Sequence, residues 1–286
     1  MRIAIIGANG QLGSDVTSVL KKNGYDVSEL THNEIEISNI DCVDVVLKDI
    51  KPDVVVNTAA FHNVPRCEEE PEKAFLVNGV GTMNLARISN DIDATLIHIS
   101  TDYVFDGEKK SPYVEIDPPA PLNVYGNTKL SGEYFIRAIA NKYYILRVSG
   151  LYGKNPCRAK GGYNFVELML KKAKEQDEVR VVNDEFLTPT FTKEVARQIS
   201  KMLKKMPGYG LYHATAEGSC SWYEFAQAIF EITDTEVNLK EAAPGEFASG
   251  VKRPKYSVLE NYNLKKAGIN IFKHWKESLE EYIKAR

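Results

Sequence analysis

Nine residues near the start of the chain, "IIGANGQLG" (5–13), restrict its fold more than any other stretch. The run "RIAIIG" (2–7) is almost continuously apolar, which suits a strand buried on both faces of a parallel sheet. Glycines follow at positions 7, 10 and 13, and a helical pattern begins at Gln11. Gly7 permits a tight turn, Gly10 lets backbone approach a pyrophosphate, and Gly13 lets the helix sit close on the sheet. Unpaired amides and the dipole at the helix start would attract the anion. The arrangement reads as a dinucleotide cradle; the plainer alternative is a tight turn with no ligand.

The following segments keep the rhythm of that first unit. A helix is expected over 11–23, a strand over 25–30 and a helix over 40–49. The buried strand "DVVVN" (53–57), a long helix over 72–89, the strand "ATLIHIS" (94–100), a helix carrying Tyr125 and the strand "YYILRVS" (143–149) complete the series. This alternation predicts an α/β fold, a Rossmann-type doubly wound parallel sheet. Residues 1–150 form the expected dinucleotide-binding domain. Residues 151–286 read mainly as a smaller α/β substrate-binding lobe, with some segments returning to the Rossmann core. That half offers helices over 164–174, from a cap near Thr192, and over 220–232, where Ser221 and Glu224 have capping-box spacing. The connector "GKNPCRAKGGYN" (153–164) is a candidate substrate loop.

Bulk properties narrow the function. Net charge is −3, with both signs interspersed, so no nucleic-acid footprint is present. The apolar stretches fall short of a membrane span, and "RIAIIG" follows Met1 too closely for a signal peptide. Cys42, Cys67, Cys157 and Cys220 lack paired spacing and read as reduced thiols, so a cytoplasmic location is expected. The histidines at 32, 62, 98, 213 and 274 never recur at helical spacing, and no metal site is expected.

Two further stretches suggest the chemistry. "LIHIS" brings Ser100 and Thr101 to the carboxyl end of the sheet, where ligands bind in this architecture. In "YGNTK" (125–129), Tyr125 and Lys129 stand four apart and share a helix face. A lysine ammonium lowers the cost of ionising a nearby phenol, and the phenol can protonate an oxygen that gains charge as hydride arrives. At the tip of the second strand, Thr31 and His32 do not repel a 2′-phosphate. NADPH is therefore the expected cofactor, with NADH as the alternative.

"GANGQLG" (7–13), "PDVVVNTAA" (52–60), "HISTDYVFDG" (98–107), "PLNVYGNTKLSGE" (121–133), "VVNDEFLTPTFT" (181–192) and "RPKYSVLENYNL" (253–264) give the chain a specific likeness. It resembles the dTDP-4-dehydrorhamnose reductase family of the extended short-chain dehydrogenase/reductase superfamily. The resemblance implies NADPH-dependent reduction of the 4-keto group of dTDP-4-dehydro-L-rhamnose to dTDP-L-rhamnose. It implies Thr101, Tyr125 and Lys129 as the catalytic set. Gly7, Gly10, Gln11 and Leu12 would line the cofactor phosphates, while Thr58, Ala59 and Ala60 would border the link between adenosine and nicotinamide. Asp102 and Tyr103 would sit beside the sugar, with Asn164, Phe165 and Arg253 around the nucleotide. Asn78 resembles a family asparagine with two readings, one near the cofactor and one as a helix–loop hydrogen bond. The partner implied is a nucleotide sugar, and a homodimer is the candidate assembly.

The chain also departs from the family pattern. Gly150 in "RVSGLYG" stands where the family carries a sugar-side tryptophan, and Arg158 or Lys160 is a candidate to refill that space. "HNVPRCE" places Pro65 at a family aspartate while keeping Arg66 and Glu68. Two alternatives follow: reduction of another NDP-4-keto-6-deoxysugar, or a non-catalytic cofactor-binding subunit resembling the regulatory subunit of methionine adenosyltransferase.

Overall fold

The computed structural model describes residues 1–156, 161–243, 245–247 and 250–286. Its first half builds strands β1 (Arg2–Ile6), β2 (Asp26–Leu30), β3 (Val54–Asn57), β4 (Thr95–Thr101) and β5 (Tyr143–Val148). Helices α1 (Gln11–Lys22), α2 (Ile40–Ile50), α3 (Val64–Glu69), α4 (Pro71–Phe75), α5 (Gly81–Asp91) and α6 (Val124–Ile139) connect them. The second half adds β6 (Leu151–Tyr152), α7 (Phe165–Glu175), β7 (Glu178–Val181), β8 (Phe186–Leu187), β9 (Thr190–Phe191) and α8 (Thr192–Lys205). Then come β10 (Gly210–His213), β11 (Cys220–Ser221), α9 (Trp222–Ile232), β12 (Asn238–Glu241), α10 (Tyr262–Lys266) and α11 (Trp275–Ala285).

Six strands form one parallel sheet in the order β10-β5-β4-β3-β1-β2. The chain reverses its direction of travel across the sheet between β1 and β3, so the loops beyond these two strands diverge and open a crevice at their carboxyl ends. Strand side chains alternate between two cores. Ile3, Ile5, Val54, Val56, Ile97 and Ile99 meet α1 and α8 on one face. Ala4, Ile6, Val55, Leu96 and Ile145 meet α2, α5 and α6 on the other. Cover on both faces explains why β1 and β3 read as nearly unbroken apolar runs. A third core, with Tyr152, Val166, Phe191, Phe225, Ile229 and Tyr282, holds the smaller C-terminal α/β lobe. β10 and α8 come from the second half of the chain but belong to the large sheet and its helical cover.

The structure differs from the sequence reading at three local points. The helix expected over 72–89 contains one wide π turn at Leu76–Val80, between α4 and α5. That turn lies against α6: a Cβ on Gly79 would meet Ser131 Oγ at 2.8 Å, and one on Gly132 would meet the Asn78 carbonyl at 2.7 Å. The segment after β3 is helical because Asn63 caps α3 and Pro65 occupies its first turn, where an N–H is dispensable. Thr192 does not cap α8; it is the first helical residue, and its hydroxyl donates to Asp15 at 2.5 Å. Ser221 and Glu224 do form the capping box, with N–H···O distances of 3.1 and 2.8 Å.

α6 meets the sheet through charged groups. Arg147 on β5 donates to Glu133 on α6 through Nε at 2.9 Å and Nη2 at 2.7 Å, and Ser100 Oγ donates to the same carboxylate at 2.6 Å. Both members of the pair are completely enclosed, so removing one leaves the other charge desolvated and unpaired. Glu133→Ala is expected to lower the unfolding free energy by about 3–5 kcal/mol, read as a shifted denaturant midpoint at unchanged slope.

Candidate active site

The crevice beyond β1 and β3 holds a cleft of about 350 Å³, which extends to the lobe. Gly7, Gly10, Gln11, Leu12 and Gly13 line one end. Gly7 has φ +78°, and a Cβ there would lie 2.8 Å from Thr58 Oγ1. A Cβ on Gly13 would collide with the Gly7 carbonyl, so glycine lets α1 seat directly on the β1 turn. The first intrahelical bond runs from Ser14 N–H to the Gly10 carbonyl at 3.0 Å, leaving the preceding amides without partners inside the helix. A backbone cradle with unpaired amides suits a pyrophosphate. Gln11 turns its side chain toward the lobe, donating to the Asn155 carbonyl at 3.3 Å. Thr58, Ala59 and Ala60 form the opposite rim, and Thr58 Oγ1 donates to the Ile6 carbonyl at 2.8 Å.

Three of the expected cofactor residues lie away from the cleft walls. Thr31 donates its hydroxyl to Glu34 at 2.5 Å, and His32 is an exposed residue whose Nδ1 lies 3.3 Å from Glu36. Two carboxylates therefore stand beside a strand tip whose own residues, Thr31 and His32, carry no negative charge. Glu29 itself pairs with Lys21. Buried Asn78 exchanges hydrogen bonds with the Phe61 backbone, both at 2.9 Å, and donates to Thr128 Oγ1 at 2.9 Å. Those contacts match the helix–loop reading of Asn78 and fasten the 58–61 loop to α6.

At the cleft centre, Thr101 ends β4 and Tyr125 opens α6, which brings the Thr101 hydroxyl beside the phenol. The α6 start is fixed twice: Asn123 accepts from Gly126 N–H at 2.8 Å, and Glu68 accepts from Val124 N–H at 2.8 Å. Gly126 allows the turn to touch the Tyr103 carbonyl. Arg66 stays on the surface of α3, paired with Glu70. Ser100 faces away toward Glu133, so Thr101 supplies the hydroxyl beside Tyr125. Burial pushes the Tyr125 phenol above its usual pKa, opposed by the Thr101 hydrogen bond and reinforced by Asp102. This reverses the direction expected from a nearby ammonium. Lys129 lines the cleft, but its Nζ lies 3.1 Å from His98 Nε2, and burial depresses its pKa to about 8.

Asp102 lines the cleft with its carboxylate already engaged. It accepts from Thr101 Oγ1 at 3.0 Å, Ser149 Oγ at 2.8 Å and Ser257 Oγ at 2.6 Å. Burial raises its pKa, against these three hydrogen bonds. Tyr103 stands edge-on to Tyr125, ring centroids 6.0 Å apart.

Asn164 and Phe165 are on the lobe side. Asn164 caps α7 and donates to the Gly153 carbonyl at 2.8 Å; Phe165 lies 4.5 Å from Trp222, centroid to centroid. Arg253 lies outside the wall beside Pro254, and its charge acts on Tyr103 and Glu185. Trp222, Glu185, Phe186 and Leu187 also line the cleft, and the sequence reading did not single them out. The indole at the start of the apolar stripe of α9 was the available signal. Gly150 adopts φ +52°, and a Cβ there would stand 2.7 Å from Leu187 Cδ1. Leu187 thus occupies the space beside Gly150; Arg158 and Lys160 lie outside the described residues.

A cradle at the switch point of a parallel sheet, opening onto a threonine, a tyrosine and a lysine, is the architecture of an NAD(P)-dependent oxidoreductase of the extended short-chain dehydrogenase/reductase type. The family model described as the RmlD substrate binding domain matches residues 1–286. The chain is 41% identical over 285 residues to the spore coat polysaccharide biosynthesis protein SpsK of Bacillus subtilis, covering 100% of this chain and 98% of that protein. The crystal structure of a dTDP-4-dehydrorhamnose reductase from Clostridium acetobutylicum superposes with TM-score 0.95 at 42% identity, covering 100% of this chain and 99% of that one. The Bacillus anthracis dTDP-4-dehydrorhamnose reductase, in complex with NADP, gives TM-score 0.95 at 37% identity, with 100% and 99% covered. The chain belongs to the dTDP-4-dehydrorhamnose reductase family.

Because Gly13 allows the close contact beneath the cradle, Gly13→Ala is expected to weaken nicotinamide-dinucleotide binding by at least about tenfold, through displacement of α1. Titration of reduced-cofactor fluorescence against wild type measures the change.

Proposed function

We propose that the protein reduces the 4-keto group of dTDP-4-dehydro-L-rhamnose, giving dTDP-L-rhamnose, with NADPH as the preferred reductant. The observation that carries this reading is the placement of the Thr101 hydroxyl beside Tyr125 in a cleft shared with the glycine cradle and Lys129. The bound cofactor supplies the hydride. The unpaired amides at the start of α1 would hold its phosphates, with Thr58, Ala59 and Ala60 along its length. Tyr125, kept protonated by burial, would give its proton to the sugar oxygen as charge develops there. Thr101 would direct that oxygen once its hydroxyl proton turns from Asp102 to the substrate. Lys129 in its ammonium form would steady the phenolate left behind.

The lobe wall supports a nucleotide sugar as the substrate. Phe165, Trp222 and Phe186 offer flat apolar area to a base or sugar, and Arg253 places a cation beside this region. Leu187, lying over Gly150, offers an aliphatic contact where the family has an indole. This difference favours a second reading, reduction of another NDP-4-keto-6-deoxysugar by the same machinery.

Cofactor oxidation with dTDP-, UDP- and GDP-linked 4-keto-6-deoxysugars tests the assignment. The dTDP-4-dehydro-L-rhamnose reaction should be fastest, and Tyr125→Phe should lower kcat about 10²–10⁴-fold while cofactor affinity persists. Absence of turnover with every sugar, despite cofactor binding, would reject the reductase reading. For the cofactor, the likeness to a relative solved in complex with NADP supports NADPH, while the Glu34 carboxylate on Thr31 works against a 2′-phosphate and limits that preference. Glu34→Gln should therefore raise the NADPH/NADH ratio of kcat/KM by roughly three- to tenfold, measured at low salt.

A further inference from the structure

The side chains beneath Lys129 form a hydrogen-bonded column whose preferred sense is set by the backbone at its foot. β3 and β4 pair in parallel with Asn57 opposite His98. Asn57 Oδ1 accepts from Ala59 N–H at 3.1 Å, so Nδ2 is the amide atom facing His98 Nδ1, also at 3.1 Å. An amide NH2 only donates, which makes His98 Nδ1 the acceptor and puts the proton of the neutral ring on Nε2. Nε2 lies 3.1 Å from Lys129 Nζ. An N–H pointing at a lysine nitrogen needs a lone pair, which the amine has and the ammonium lacks. The opposite sense, an ammonium donating to Nε2, needs the ring proton on Nδ1 and the Asn57 amide turned over. Ala59 N–H would then face an NH2 group. The backbone of Ala59 thus biases the whole column.

We propose that Asn57 and His98 are positioning residues that set the proton affinity of Lys129. With Asn57 anchored on Ala59, His98 donates to the amine and favours neutral Lys129; protonation of Lys129 requires the ring proton to move to Nδ1 and the amide to turn. This rests on the reading of Lys129 as the partner of Tyr125 in ketone reduction. The other groups around Lys129 are accounted for. Glu133, on the same helix, favours the ammonium but is itself neutralised by Arg147 from β5. Asp102 beyond β4 and Cys67 on α3 act on the Tyr125 phenol. Burial holds His98 well below its ordinary pKa, so the ring stays neutral and its tautomer is the variable.

The consequence is an alkaline limit on catalysis. The ammonium is the active form, so activity is present below the Lys129 midpoint and lost as pH rises through it, at about 8. Asn57→Asp keeps an acceptor for Ala59 N–H and nearly the same shape, but accepts from Nδ1 instead of donating. It should move the ring proton to Nδ1 and raise the midpoint by about one pH unit or more. Asn57→Leu removes the donor without adding charge and should raise it by a smaller amount.

Long-range ¹H–¹⁵N spectra of the full chain at pH 9, with the ring assigned by His98→Gln, report the tautomer. The ¹³Cε titration of Lys129 and the pH profile of kcat report the midpoint. Expected are Nε2–H in wild type, Nδ1–H in Asn57→Asp, and midpoints rising in both Asn57 variants. Nδ1–H in the wild-type protein at pH 9 overturns the proposal. So does an unmoved midpoint in the variants, including a uniform loss of kcat at every pH, which is what a purely structural role would produce. The two resonance measurements require no turnover, so they remain decisive even if the sugar reductase reading fails.

Discussion

Docking α6 on the sheet takes Lys129 and Glu133 almost completely out of water. A desolvated charge or amine needs partners at fixed positions, and the sheet provides them from three neighbouring strands: Asn57 on β3, His98 and Ser100 on β4, and Arg147 on β5. Apolar contacts tolerate small slides, whereas these directional contacts do not. The helix is therefore registered against the sheet, and Tyr125 at its first turn is registered against Thr101 at the end of β4. The geometry of the reacting end of the cleft therefore follows from the polar contacts packed beneath it.

A second junction joins the lobe to this frame. Asp102 gathers Thr101, Ser149 and Ser257, so a single carboxylate connects the catalytic strand, the end of β5 and a segment 155 residues further along the chain. Gln11 makes a matching link from the cradle to the Asn155 carbonyl. Both ends of the cleft are thus tied across the boundary between sheet and lobe, and the aromatic wall of Phe165 and Trp222 lines the same cleft as Tyr125.

The cradle was legible in the sequence because its causes are local: an apolar run, three glycines and a helix start lie within a dozen residues. The capping box at Ser221 was legible for the same reason. The His98–Lys129 contact was hidden, since it depends on the register of β3 against β4 and on where α6 lands. Lys129 was correctly placed on the face of Tyr125, but its nearest polar partner proved to be an imidazole, which altered the electrostatics inferred for the phenol. Residue type alone makes Thr31 and His32 permissive of a phosphate, whereas the carboxylates of Glu34 and Glu36 that fold back on them decide their character. Leu187 and Trp222 come from distant segments and carry no local signature of a cleft wall.

Gly150 and Leu187 have a bearing on how this lineage could change its substrate. A side chain at 150 meets both an unfavourable backbone conformation and the terminal methyl of Leu187. A large side chain at 150 requires Leu187 to move aside, and shrinking Leu187 alone opens an unfilled hollow. The two sites are therefore epistatic. Exchanging the aliphatic contact for an aromatic one therefore calls for paired changes at 150 and 187.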